Sequence, residues 1–71
     1  MAQLIEVHEF DENTTGHTKS RVINVHYIIG VTDHQTKKDW CEIIVYDRIK
    51  RATETVCAKH SKDELIRMAN T

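Results

Sequence analysis

Proline is absent from this chain, and glycine occurs only twice, at Gly16 and Gly30. Collagen-like and proline-rich architectures are thereby excluded, as is a phosphate loop, which needs several glycines close together. Cysteine also occurs only twice, at Cys41 and Cys57. Two are too few for the disulfide frameworks of small secreted domains, so reduced thiols that pack as small apolar side chains are expected. Neither charge sign dominates: ten basic and eleven acidic side chains leave a formal net charge of -1. No whole-molecule field draws such a chain to nucleic acid or to an anionic membrane. Long apolar runs are missing too. Stretches such as Ile43-Ile44-Val45-Tyr46 fall far short of the roughly 20 residues that span a bilayer. The N-terminus lacks the basic start and extended apolar region of a secretory signal, and a cytoplasmic protein is expected.

What is there is a globular composition, with 39% apolar and 30% charged residues over 71 positions. One domain, residues 1–71, is expected. A chain this short buries only about 60–65% of the surface it exposes when unfolded, so small domains often recruit disulfides, a metal or self-association.

β-Branched and aromatic runs dominate the order of elements. Leu4–Phe10 reads as a first strand, and the polar run 11–17 as a turn or loop around Gly16. The apolar segment 21–31 is long for one strand and is interrupted by Asn24 and His26. Two strands at 21–24 and 27–32 are expected, joined by a tight turn capped by the Asn24 side chain. The alternative is one unbroken strand with a bulge at Gly30. After a polar connector at 32–39, runs 40–46 and 53–59 form a hairpin around the turn 47–51. If that hairpin centres on Ile49, Cys41 faces Cys57. Ser61-Lys62-Asp63-Glu64 has the form of a capping box: the Ser61 hydroxyl accepts from the Glu64 amide, and the Glu64 carboxylate accepts from the Ser61 amide. It opens a short helix at 61–70 whose stripe of Leu65, Ile66, Met68 and Ala69 must dock on the sheet, because so short a helix does not hold alone.

Five histidines, His8, His17, His26, His34 and His60, accompany the two cysteines, but no pair has the local spacing of zinc ligands. They are expected on the polar, solvent-facing side of half-buried strands, with neither metal nor cofactor. Cys57 and His60 are near enough in sequence to touch, yet nothing beside them supplies an oxyanion hole or an orienting third group. An enzyme is therefore not expected. The basic turn residues Arg48, Lys50 and Arg51, joined across the sheet by Lys37 and Lys38, form the best candidate for nucleic acid, with Trp40 and Tyr46 as stacking surfaces. Glu42, Asp47 and Glu54 interleave with them and weaken that field. Trp40 and Tyr46 share one face of a regular strand 40–46 and are equally candidate anchors for a protein interface, the homodimer's included, with packing in the core as the alternative.

The runs from Val22 to Val31, from Cys41 to Val45 and from Glu54 to Ile66 together resemble the small FlbD-like proteins associated with flagellar and swarming motility. In that family an I-N-x-x-x-I turn precedes a β-hairpin, a V-K-E-S strand end and a short helix. The likeness spans residues 22–66 and implies the same order of elements. Asp47-Arg48-Ile49-Lys50-Arg51 stands where the family has a glycine-bearing turn, and His60 where it has an acidic residue. Miniature β-sheet proteins of phages and mobile elements are a second group of similar build.

The expectation is a mainly β (α+β) domain: a curved antiparallel sheet of four or five strands, open or rolled towards a barrel, with one short C-terminal helix. Its expected role is non-catalytic binding of a protein, as an adaptor, regulator or phage-type inhibitor, through Trp40, Tyr46, Arg48, Lys50 and Arg51. Binding of nucleic acid or a nucleotide by the basic hairpin is the alternative. A homodimer formed through unprotected strand edges is also expected.

Overall fold

The computed structural model describes residues 3–70. Five strands, β1 (Leu4–Phe10), β2 (Thr18–Asn24), β3 (Ile28–Asp33), β4 (Cys41–Asp47) and β5 (Ala52–Ala58), precede one helix, α1 (Lys62–Ala69). The strands form a single antiparallel sheet in the order β2-β1-β5-β4-β3.

The connection between β2 and β3 sets the curvature. These strands are the two edges of the sheet. At about 4.8 Å per strand, a flat sheet would hold them about 19 Å apart. Yet only the 3₁₀ turn Val25–Tyr27 joins them. Even fully extended, the steps from Asn24 to Ile28 reach about 14 Å, so the sheet must curl until its edges approach. They do not pair, and the curl stops short of a closed barrel.

Both readings of the segment 21–31 contain part of the answer. The Asn24 side chain accepts from the His26 amide at 2.9 Å and caps the turn, as expected. The pairing of β3 with β4 also slips between Ile28 and Gly30, which is the bulge of the alternative. β2 starts at Thr18, earlier than expected, because β1 continues to Phe10 and pairs residue for residue with it.

Alternation builds the core. Ile5 and Val7 on β1, Ile23 on β2, Cys41, Ile43 and Val45 on β4, and Val56 and Ala58 on β5 all face the concave side. Leu65 of α1 is buried among them, so the helix covers the hollow rather than an outer face.

The hairpin register differs from expectation by one residue. Four residues, Arg48 to Arg51, separate the closing pair Asp47 and Ala52, and Cys41 consequently faces Ala58, while Cys57 faces Glu42. A one-residue slip sends side chains to the opposite face. Cys41 is buried in the core and Cys57 lies half-buried on the convex side; both are free thiols. Without glycine, the turn is held by Asp47 Oδ1, which accepts from the amides of Ile49 at 2.9 Å and Lys50 at 3.1 Å. Arg51 then takes the left-handed conformation, φ 55°.

His60 departs from the expected solvent-facing histidines: it is buried where β5 ends. Its Nε2 accepts from the His8 amide at 3.0 Å, and its Nδ1 lies 3.1 Å from Glu64 Oε1. An acceptor Nε2 needs its lone pair, so the ring proton sits on Nδ1 and donates to Glu64. The Glu64 carboxylate thereby turns to His60 rather than to its expected partner, the Ser61 amide. The other half of the capping box forms, with Ser61 Oγ accepting from the Glu64 amide at 3.2 Å.

Two stability outcomes follow from this end of the molecule. Ser61→Ala removes one cap and is expected to cost about 1 kcal/mol in thermal or denaturant unfolding. His60→Ala leaves the His8 amide without its acceptor and is expected to cost about 1–3 kcal/mol from that donor alone, before any lost packing. Nitrogen NMR of the folded protein should find the His60 proton on Nδ1; an Nε2–H tautomer would contradict the hydrogen bond to His8.

Candidate functional site: a cleft where the sheet stays open

The curl leaves an opening between the edge of β2 and the β4–β5 hairpin. A cleft of about 290 Å³ lies there, walled on one side by Arg21 to Asn24 and on the other by Val45 to Ile49, with Tyr27 and Glu54 completing it. Pairing explains why the opening exists. β3 begins at Ile28 opposite Val45, so β3 supplies no pairing partner to Tyr46 or Asp47, while β2 is paired only with β1.

Arg21 bridges this opening from within. Its guanidinium meets Glu54 on β5 at 2.9 Å and Glu9 on β1 at 3.4 Å. The bond to Glu54 raises the Arg21 pKa, and in return Arg21 holds the Glu54 carboxyl below its ordinary value. Lys19 adds contacts to Asp11 at 3.5 Å and Glu9 at 3.8 Å. The amides of Lys50 and Ile49 likewise hold the Asp47 carboxyl low.

The five candidate residues fall into two places. Tyr46 and Arg48 line the cleft, and Lys50 and Arg51 stand exposed in the adjoining turn. Arg48 donates to the Tyr27 hydroxyl at 2.9 Å, its guanidinium 5.9 Å from that ring centre. Arg48, Lys50 and Arg51 form no salt bridge among the described residues. Trp40 is elsewhere. It precedes β4 instead of opening it, and the whole length of that strand separates it from Tyr46. The two aromatic side chains therefore do not form one patch, and Lys37 does not join the hairpin cations.

Trp40 belongs to a second cluster, where the segments 11–17 and 34–40 converge. Phe10 lies 5.6 Å from it and His34 5.8 Å, ring centre to ring centre, with His17 stacked 6.1 Å from Phe10. The ammonium groups of Lys59 and Lys37 stand 5.5 and 5.6 Å from the Trp40 ring. Sequence reasoning missed Phe10, Lys59, Val22, Tyr27 and Ile49. Only Ile49, an apolar residue in an otherwise charged turn, carried a visible signal; it is 90% exposed at the hairpin tip.

Among the described residues, no group of three or more His, Cys, Asp or Glu side chains is placed to hold a metal, and no helix is long and apolar enough to cross a membrane. Comparison with family models, curated proteins and solved structures found no match. The site must be read from its own chemistry.

The thiols offer a direct check of the register. Burial pushes Cys41 up to about 11, and burial beside Glu42 raises Cys57 to a smaller extent. A thiol whose folded pKa exceeds its unfolded value favours the folded state while protonated, and that advantage falls as pH rises from about 9 to 11. Native alkylation near pH 9 should label Cys57 and spare Cys41, and unfolding should become easier above that pH. Equal labelling of both thiols would contradict the register.

Proposed function

We propose that this chain is a non-catalytic protein-binding module whose binding site is the cleft between β2 and the β4–β5 hairpin. The observation that carries this reading is the coincidence, at one opening, of a free strand edge, exposed apolar side chains and the hairpin cations Arg48, Lys50 and Arg51, which form no salt bridge among the described residues. Val22, Tyr46 and Ile49 are exposed around it by 60%, 39% and 90%. Natural sheets usually blunt such edges with charge, proline or a covering element. Here proline is absent and the apolar residues stay uncovered. An adaptor, regulator or inhibitor needs only such a surface.

The Trp40 cluster supports a second reading. Partly stacked rings flanked by lysines are the elements of a single-strand nucleic-acid surface. That site lies away from the basic hairpin. The expected homodimer is assigned to the other edge, β3, where pairing would begin beyond the bulge, at Val31–Asp33.

Affinity capture with the immobilised chain distinguishes these readings. A protein retained by the wild type and by Trp40→Ala, but lost with Ile49→Asp, supports the cleft. No protein dependent on Ile49 sinks it. Salt-sensitive oligonucleotide binding that Trp40→Ala removes would favour the second reading. Sedimentation equilibrium reports on the dimer: a mass of 8.3 kDa at every concentration rules it out.

A further inference from the structure

Building on the cleft as the binding site, we infer that its occupant is an extended acidic segment of a partner protein, added as a sixth strand to the free edge of β2.

The hydrogen-bond phase of β2 identifies the receiving groups. The Val25 amide donates to Gln3 at 2.8 Å, and the Asp11 amide donates to His17 at 3.0 Å. Both pairs continue the register in which Ile5 faces Ile23 and Val7 faces Arg21. The odd-numbered residues of β2 therefore direct their backbone groups to β1, and the even-numbered ones direct theirs away from it. Thr18 shows this independently, because its carbonyl accepts from the Thr14 hydroxyl at 3.1 Å. That contact closes one end of the row, and the Asn24 turn closes the other. Between them, the N–H and C=O groups of Ser20 and Val22 point outward with no strand beyond them. Strand addition uses such a row, with main-chain bonds giving affinity and alternate side chains giving specificity.

Space decides between occupants. The cleft is walled on its far side by the hairpin, so a partner reaches β2 along its edge, between the two. The edge of a second five-stranded sheet would meet that wall, so another copy of this protein is not the occupant.

Charge decides the chemistry. The acids of the site are already engaged: Glu54 and Glu9 hold Arg21, and Asp47 Oδ1 accepts from two amides of its own turn. Among the described residues Arg48, Lys50 and Arg51 form no salt bridge, although Lys50 is near enough to Asp47 and Glu54 to help hold both carboxyls low. Val22 and Tyr46 lie on the convex face on either side of the opening, and Ile49 stands at its end. A segment with apolar residues along Val22 and Tyr46 and acidic residues towards the turn 48–51 meets both features.

The test uses a fluorescein-labelled peptide of eight residues, a valine half and a glutamate half, with a lysine–valine peptide as its counterpart. Fluorescence anisotropy should show binding of the glutamate peptide that weakens with salt, and no binding of the lysine peptide. Exchange of the Ser20 and Val22 amides should slow by about tenfold or more when the peptide is bound. Arg48→Glu, at an exposed position, should weaken binding by about tenfold, and Val22→Pro should abolish it by removing an outward N–H that β1 does not use. Equal binding of both peptides, or glutamate-peptide binding without slowed exchange at Ser20 and Val22, overturns the inference. So does the absence of binding at millimolar peptide. A partner captured through Ile49 that leaves those two amides unprotected would overturn strand addition while leaving the binding module intact.

Discussion

The whole fold depends on the narrow junction between β1 and β5. Each neighbouring pair in the sheet except this one is zipped over most of its length, whereas β1 and β5 share a single bridge, Glu9 with Ala58. In the register of that bridge, His8 faces Lys59. The Lys59 amide donates to the His8 carbonyl at 2.7 Å, as a regular ladder requires. The returning bond from the His8 amide goes to His60 Nε2 instead of to the Lys59 carbonyl. An imidazole thus stands in for a backbone acceptor at the point where the chain must leave the sheet to begin its helix. Through Nδ1 the same ring reaches Glu64 on α1. One side chain couples the last bond of the junction to the first turn of the helix that covers the core.

The opening on the other side is the counterpart of this economy. Joining β1–β2 to β3–β4–β5 through one short junction brings the outermost strands towards each other, and the three-residue turn between them completes the curl. Closure fails because β3 starts too late to pair with Tyr46 and Asp47, and the chain that would fill the gap is spent on the turn itself. Arg21 holds Glu9 and Glu54 together at the mouth, and Lys19 adds a second cation to Glu9. This interior is sealed by ion pairs at one end and by the Leu65 face of α1 at the other.

Much of this was legible in the residues. The strand-length runs, the Asn24 turn, the bulge near Gly30 and the Ser61 cap rest on local chemistry, and local chemistry is what a sequence displays. The hairpin register was not legible, since Asp47 can cap a turn of several lengths and only the cost of burying Glu42 rather than Ile43 selects among them. Moving the centre by half a residue, from Ile49 to between Ile49 and Lys50, shifts the pairing by one and leaves Cys41 inward and Cys57 outward. His60 was unreadable for a different reason. Its partners lie on β1 and α1, and a histidine that completes a ladder looks in sequence like any polar residue at a strand end. Trp40, half-buried, and Tyr46, exposed, lie too far apart along the strand to act as one patch, because alternation assigns a face and says nothing of distance along the strand.

The same distinction bears on what the molecule does. Composition gives no overall field, and no cluster of titratable side chains among the described residues is arranged as metal ligands. What remains is geometry. A curled sheet that cannot close presents unpaired backbone beside side chains of its own choosing, and here those side chains are apolar and cationic while the acids are bound internally. The sign of that imbalance is a property of pairing rather than of composition, since the chain as a whole is slightly acidic. Selectivity at such an edge comes from which charges the fold has already neutralised. Under the proposed reading, the carboxylates of Glu9, Glu54 and Asp47, although none needs to touch a partner, would set the charge of the partner that the cleft accepts.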